Sequence, residues 1–139
     1  MAELERFGVS MESALLARFD ASIAARGYAS RSEAIRDLVR EGLVREAWAD
    51  PDAEVVGTVT IVYGHHEHEL THVLTELQHQ RHDAIICSTH VHLDAHFCLE
   101  VIIVRGPSRE VRAVADTLIS TRGVKHGALT CTTTGLVMA

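Results

Sequence analysis

The stretch His90-Val91-His92-Leu93-Asp94-Ala95-His96-Phe97-Cys98 decides how the second half of this chain is read. It lies within Asp83 to Arg105, two apolar runs broken by a short polar turn, which is the pattern of a β-hairpin. Alternate side chains of a strand share a face, so His90 and His92 point the same way. With a three-residue loop, Asp94 to His96, His92 faces Cys98 and His90 faces Glu100. A two-residue loop would put Cys98 on the other face, because a one-residue slip inverts every side chain. In the first register two imidazoles and a thiol converge on one side of the hairpin as a three-ligand metal site. The same register predicts a core face of Ile85, Cys87, Val91, Phe97, Leu99, Val101 and Ile103. The ligand face is mixed: Ile86, Ser88, His90, His92, Cys98, Glu100, Ile102 and Val104. The alternative is that these histidines are ordinary polar residues on the open side of a sheet. Cys87 reads as a small buried hydrophobe, and His96 has the ligands' parity but sits in the turn.

Ligand chemistry narrows the metal. Imidazole suits zinc, copper, iron and nickel, and a thiolate excludes the hard cations. Three protein ligands with one open position could make a catalytic zinc site. A fourth nitrogen in the plane would favour nickel(II) or copper(II), which take square-planar sites.

The length of 139 residues allows one ordinary domain or two very small ones, and an apolar fraction of 47% is enough for a packed core. No run approaches the roughly 20 apolar residues of a membrane span. The start, Met-Ala-Glu-Leu-Glu-Arg, lacks a signal peptide's apolar segment. Cysteines 87, 98 and 131 are an odd number and form no disulfide framework, so a reducing cytoplasm is expected. The net charge of -6 does not by itself point to nucleic acid, but the charge is uneven. Residues 1–48 hold seven Arg, whereas all ten His come after residue 64. The break between an arginine-bearing front and a histidine-bearing back falls at Asp50-Pro51-Asp52, a turn-like linker. Domains are therefore expected at 1–49 and 53–139.

In the front part, Arg6 to Met11 alternates strictly and reads as a short strand, with Phe7, Val9 and Met11 on one face and Arg6, Gly8 and Ser10 on the other. Leu15, Leu16, Phe19 and Ile23 recur at helical spacing, and Gly27 is placed to stop that helix. Ser30-Arg31-Ser32-Glu33 has capping-box spacing and starts a second helix, with Ile35, Leu38, Val39 and Leu43 as its buried stripe. One strand and two helices in about 50 residues cannot bury an adequate core alone. A lone strand also leaves its backbone groups unpaired. A dimer solves both problems by pairing two strands into an antiparallel ribbon over four helices. Such a ribbon fits the major groove of DNA, and the second helix's N-terminus would offer amides to a phosphate. The alternative is a helical hairpin for dimerisation only, with a solvated strand.

The back part reads as a β-rich run from Val55 to Tyr63, then a helix marked by Leu70, Val73, Leu74 and Leu77 that runs to about Arg81. The hairpin follows. A second helix carries Val111, Val114, Ala115, Leu118 and Ile119, entered at Pro107-Ser108 and ended by Gly123. A last strand spans Val124 to Thr132. The order βαββαβ is that of a ferredoxin-like split βαβ fold, so the whole chain is α+β. The tail after Thr132 carries no readable signal.

Arg6-Phe7-Gly8-Val9-Ser10, Arg26-Gly27-Tyr28 and Ser30-Arg31-Ser32-Glu33-Ala34-Ile35-Arg36-Asp37 resemble the ribbon-helix-helix domain of the nickel-responsive repressor family NikR. Gln78-His79, His90-Val91-His92, Cys98-Leu99-Glu100 and Arg122-Gly123-Val124-Lys125-His126-Gly127 resemble its metal-binding part, which is ACT-like. The likeness runs from about residue 6 to residue 131. It implies a nickel-dependent repressor that binds operator DNA and controls nickel uptake or homeostasis. It implies a homotetramer, a dimer of dimers, with one Ni(2+) per chain. His90, His92 and Cys98 of one chain and His79 of a neighbouring subunit would be the ligands, with Glu100 supporting them. The residues alone do not choose His79 over His65, His66, His68, His72 or His82.

On the expected core face, the helix that ends near His79 packs on the side of the sheet opposite the ligands. A same-chain site is then not expected. The resemblance also puts Arg6, Gly8 and Ser10 at base-reading positions and Ser30, Arg31 and Ser32 against the DNA. Gly8 is a departure, since many members carry a hydroxyl residue there. Glu33 and Asp37, with carbonyls near Ile119, Thr121 and Val124, would hold a second cation such as K(+). His68 and His72, four apart on a helix, read as solvated surface or as a weak extra site. No catalytic residue, organic substrate or membrane partner is expected. Two rival readings are a small zinc-dependent enzyme and an ACT-type sensor of a small organic molecule.

Overall fold

The computed structural model of the single chain describes residues 3–136 and leaves the side chain of His68 outside the description. Two compact units separate between Leu43 and Val44, within a helix and ahead of the expected linker at Asp50-Pro51-Asp52.

In the first unit, α1 spans Ser13–Ala25 and α2 begins at Arg31 and runs to Ala49. The stop after α1 is a Schellman motif. Gly27, at φ 82, donates to the Ala24 carbonyl at 3.1 Å, and Tyr28 donates to the Ile23 carbonyl at 3.0 Å. Ser30 caps α2 as its spacing predicts, its Oγ accepting from the Glu33 amide at 3.2 Å. Residues 3–12 form no strand ladder within the single chain. The short strand expected over Arg6–Met11 is therefore not formed within the single chain. The expected buried stripe of α2 is not buried here. Leu38 (52% exposed), Val39 and Leu43 are all exposed, as is Phe7 at 75%. Among the described hydrophobic residues of this unit, only Ile23 and Ala34 are buried. Two helices and an extended segment make one layer, and a stripe needs a second layer to close on it.

The second unit holds the last turns of α2, then β1 (Glu54–Gly64), α3 (His68–Gln80), β2 (Ile85–His92), β3 (Phe97–Pro107), α4 (Ser108–Ile119) and β4 (Val124–Thr132). The sheet is antiparallel in the order β2-β3-β1-β4, the arrangement that βαββαβ produces in a ferredoxin-like fold. The hairpin register is the one with a three-residue loop: His92 pairs with Cys98 and His90 with Glu100.

The core face, however, is the opposite of the expected one. Along β3 it is Cys98, Glu100, Ile102 and Val104 that are buried, while Phe97 is exposed and Leu99, Val101 and Ile103 are only half covered. The helices therefore cover the ligand face. Leu70 and Leu74 of α3 and Val111, Val114 and Leu118 of α4 join Cys98, Ile102 and Val104 in one cluster. Cys87 and Val91 lie on the other face and are exposed, so Cys87 is not a buried hydrophobe. Ile85 does reach the core, because the register shifts between Ile85 and Cys87 and a bulge turns it over.

Trp48, from the end of α2, closes the far end of this core. Its Nε1 donates to the Thr132 carbonyl at 2.9 Å, and the Arg112 guanidinium lies 5.1 Å from its ring centre. Gly57 of β1 makes room for it. A Cβ there would lie 2.9 Å from Leu129 Cδ1 and 3.0 Å from Trp48 Cη2. Gly57→Ala should therefore destabilise this unit by roughly 1–3 kcal/mol through overpacking. The check is urea unfolding, with Trp48 fluorescence as the probe and chain concentration held constant. An unchanged midpoint would show that the gap can relax.

Candidate metal centre

The hairpin tip is set by one carboxylate. Asp94 Oδ1 accepts from the amides of His96 at 2.6 Å and Phe97 at 2.8 Å, and these bonds hold its carboxyl below the usual range. The Leu93 amide closes the loop on the Phe97 carbonyl at 2.9 Å. This Asx turn leaves three residues between the last paired positions, and that count brings His92 and Cys98 to the same face.

β2 is an edge strand, and its residues 86–92 are exposed although His90 and His92 point to the helix-covered side. The site thus lies where the helix layer ends. Cys98 sits beneath it, 1% exposed. Its Sγ is 3.6 Å from His92 Nδ1 and 3.4 Å from Nδ1 of a third residue, His65. The donor atoms of His65, His92 and Cys98 all lie within 4.8 Å of one another, the grouping suited to a metal ion among the described residues. His65 follows directly from β1, and its amide donates to the His96 carbonyl at 2.6 Å, which ties it to the hairpin tip. Nothing in its spacing from the hairpin singles it out, because the contact depends on β1 pairing with β3. That pairing places Tyr63 opposite Cys98 and Gly64 opposite Phe97.

His90 stands beside this group, its ring 5.0 Å from that of His92. Its Nδ1 lies 3.1 Å from the Tyr63 hydroxyl, which donates to Glu100 Oε2 at 3.4 Å. Gln78 Nε2 donates to Glu100 Oε1 at 3.3 Å. Burial, with the charges of Glu100 and Cys98 adding to it, pushes the Tyr63 hydroxyl well above its ordinary pKa, so it stays a neutral donor. A hydrogen-bond contact at Nδ1 is the arrangement in which a metal-binding histidine's second nitrogen is held by a supporting group. Glu100, expected to support the ligands, bonds to Tyr63 and Gln78.

His79 does not join the group. It lies in the last turn of α3 and is exposed. The expectation that α3 packs on the face opposite the ligands is overturned, since Gln78 reaches Glu100 from the ligands' own side. What separates His79 from its own chain's site is rotation of about 100° per residue around the helix, which turns it away where Gln78 turns in. His72 is exposed on the same helix, the side chain of His68 lies outside the described residues, and His82 contacts only the His79 carbonyl among the hydrogen bonds resolved.

The residues expected to meet DNA are all exposed. A Cβ on Gly8 would meet nothing within 4 Å. Arg31 is held by Asp20 in a two-pronged ion pair at 2.8 and 2.7 Å, and Ser30 is occupied as the cap. Asp37 accepts from Tyr28 at 2.8 Å and from Arg40 at 3.1 Å. The residues of the expected second cation site are divided, Glu33 and Asp37 in the first unit and Ile119, Thr121 and Val124 in the second.

Residues 56–132 match a family model described as the NikR C-terminal nickel-binding domain, and residues 5–46 match that of the ribbon-helix-helix proteins of the copG family. The chain belongs to the nickel-responsive regulator family. It is 57% identical to a nickel-responsive regulator of Geobacter sp. (strain M21) over 97% of each chain. It is 56% identical to one of Solibacter usitatus over 99% of each chain. In fold, the chain is similar to an uncharacterized protein of Thermotoga maritima, with a TM-score of 0.50 at 15% identity over 56% of this chain and 96% of that one. The family is one of transcription regulators rather than enzymes. No helix among the described residues is long and apolar enough to cross a membrane.

The donor set fits a nitrogen- and thiolate-liking transition metal, with one buried sulfur and imidazoles around it. Tyr63→Phe tests the supporting chain. It should weaken metal binding about 10–100-fold without changing the number of ions bound, because it frees the His90 ring and strips a donor from Glu100. Competition against a chelating dye measures this, and parental affinity in the variant would remove Tyr63 from the site.

Proposed function

We propose that this chain is a nickel-dependent transcriptional repressor that binds operator DNA as a tetramer, and that His90, His92 and Cys98 of one subunit and His79 of another hold one Ni(2+). The observation that carries this reading is the convergence of His92 and Cys98 on a hairpin whose neighbouring His90 is pre-oriented by Tyr63 and Glu100. A nickel ion held by these residues would join two subunits through their side chains. On the protein's side, Cys98 contributes the thiolate, His90 and His92 contribute imidazoles from the edge strand, and His79 stands on an outward helix end able to reach a neighbour. Such a junction favours one arrangement of the tetramer only by its affinity difference between arrangements, typically about 1–3 kcal/mol.

The front unit supplies DNA binding. Its exposed Phe7, Val9 and Met11 give two copies of the segment a reason to pair, and Arg6, Gly8 and Ser10 then share the outer face of the ribbon. The zinc-enzyme reading lacks a general base, since Glu100 is occupied by Gln78 and Tyr63.

Arg6→Ala should weaken operator binding by about 1–3 kcal/mol if Arg6 reads a guanine, while nickel uptake stays intact. Gly8→Thr fits without a clash and should change sequence preference rather than abolish binding. Mobility-shift assays with and without Ni(2+) read both, and parental binding by Arg6→Ala would refute the ribbon assignment.

Bridging has its own test. His79→Ala chains lack the fourth ligand everywhere, and chains with His90→Ala, His92→Ala and Cys98→Ala lack the other three. Unfolded, mixed and refolded together, the two should regain a fraction of high-affinity nickel sites with the parent's planar absorption. Mixtures that regain none would mean that all ligands come from one chain.

A further inference from the structure

We propose that Asp20 is a specificity-determining residue for DNA: it positions Arg31 at the start of α2 and keeps that charge from binding phosphates indiscriminately. This rests on the reading of the front unit as a DNA-binding ribbon and adds to it a residue of α1 that acts through Arg31.

Residues 1–48 hold seven Arg and eight Asp or Glu, so this unit has no excess of positive charge to offer a polyanion. Binding has to come from where the charges stand. Arg6, Arg31 and Arg36 line one hollow together with Ser10 and Ser32. Among the described residues, Arg31 is the one of these three that is in an ion pair with a carboxylate. Its Nε donates to Asp20 Oδ1 at 2.8 Å and its Nη2 to Asp20 Oδ2 at 2.7 Å. One edge of the planar guanidinium is thus filled, and the opposite edge, with Nη1, faces away from Asp20. Arg31 is also the first residue of α2, where the helix dipole favours anions over cations. A guanidinium at that place calls for an anion beside it, which is Asp20 in the free chain and a phosphate as well in a complex. The pair is exposed on both sides, so it adds little to folding and much to direction. The Arg31 guanidinium holds the Asp20 carboxyl below the usual carboxylate range, so the pair stays charged at neutral pH.

The consequence differs between operator and other DNA. Indiscriminate binding depends on free positive charge alone, and each phosphate neutralised adds about 0.9 to the salt slope. Asp20 offsets Arg31 on every sequence alike. On the operator it also gives something back. The seated ribbon presents a phosphate to Arg31 at one fixed place, and a guanidinium already aimed there loses less freedom on contact. The gap between the two affinities widens, and that gap is specificity.

The test uses Ni(2+)-loaded full-length protein and two duplexes of equal length. One is the tightest duplex that the parent selects from a random-sequence library, and the other is its scrambled form. Fluorescence anisotropy across a salt series gives both affinities and their slopes. Asp20→Asn keeps the size of the side chain and removes its charge, and Asp20→Ser is a second charge-removing variant. Either should tighten binding to the scrambled duplex about three- to tenfold and steepen its salt slope by about 0.9 for each chain that touches DNA, while operator binding does not tighten. Asp20→Glu restores the charge and should bring the ratio of the two affinities back to within about twofold of the parent's. In an Arg31→Ala background, Asp20→Asn should move neither slope. An unchanged ratio and slope in the folded charge-removing variants would overturn the proposal. So would uniform weakening on both duplexes, or an equal effect of Asp20→Asn with Arg31 absent. A parent that selects no sequence from the library would overturn the repressor reading instead, and the slopes on the scrambled duplex would still decide for or against Asp20.

Discussion

Everything at the candidate metal centre depends on the turn that Asp94 makes. A carboxylate oxygen shared by two successive amides costs the hairpin nothing in burial, because it sits in water at the tip. It nevertheless decides the loop length, and the loop length decides which face of β3 meets His90 and His92. One residue more or fewer would bring Leu99 or Phe97 opposite the histidines in place of Cys98. The depressed Asp94 carboxyl ties this turn to pH with a definite sign. Its contribution is complete above the ordinary aspartate range and fades as pH falls through the lowered folded value.

Much of this was legible in the residues. Element order, the hairpin register and the helix stops follow from local rules, and the observed bonds are the ones those rules name: the Ser30 cap, the turn at Gly27, the three-residue loop. The core face was misread for a physical reason. Both faces of β3 are rich in apolar residues, and alternation between Leu99, Val101, Ile103 and Ile102, Val104 does not tell which side the helices take. The histidines and Glu100 made one face look wet. In the fold that face is dry along β3, and only the edge strand β2 carries its polar groups past the end of the helix layer. A buried carboxylate partnered across three elements cannot be foreseen from spacing. Neither can His65, whose approach to Cys98 depends on the pairing of strands far apart in sequence.

The front unit illustrates the opposite case, in which a structural shortfall was predictable. Two helices and an extended segment were too few to close a core, and the single chain indeed leaves Phe7, Leu15, Leu38, Val39 and Leu43 exposed. Each such side chain forgoes about 1.5–3 kcal/mol of burial, so together they form a strong driving force for pairing with a like surface. The ionic contacts of this unit do not replace it. The Arg31–Asp20 pair is exposed on both sides, and its worth is set by solvent screening. Its role is to orient a guanidinium at the start of α2, beside the helix amides that face the same region.

Glu100 shows how deeply the ligand geometry is rooted. A carboxylate only 7% exposed in a sheet face of Ile102 and Val104 is unfavourable unless its oxygens find donors. It has two, and they come from different elements: Gln78 from α3 and Tyr63 from β1. Tyr63 in turn lies against His90 on β2, so four elements meet in one chain of hydrogen bonds. That chain exists only in the order β2-β3-β1, with Tyr63 beside Cys98 and His90 opposite Glu100. Sliding any one strand by a residue would replace Glu100 with Leu99 or Val101, neither of which can accept a hydrogen bond through its side chain. The carboxylate therefore lowers the stability of wrong registers more than it raises that of the right one. The result is a histidine ring whose Nδ1 side is fixed by Tyr63.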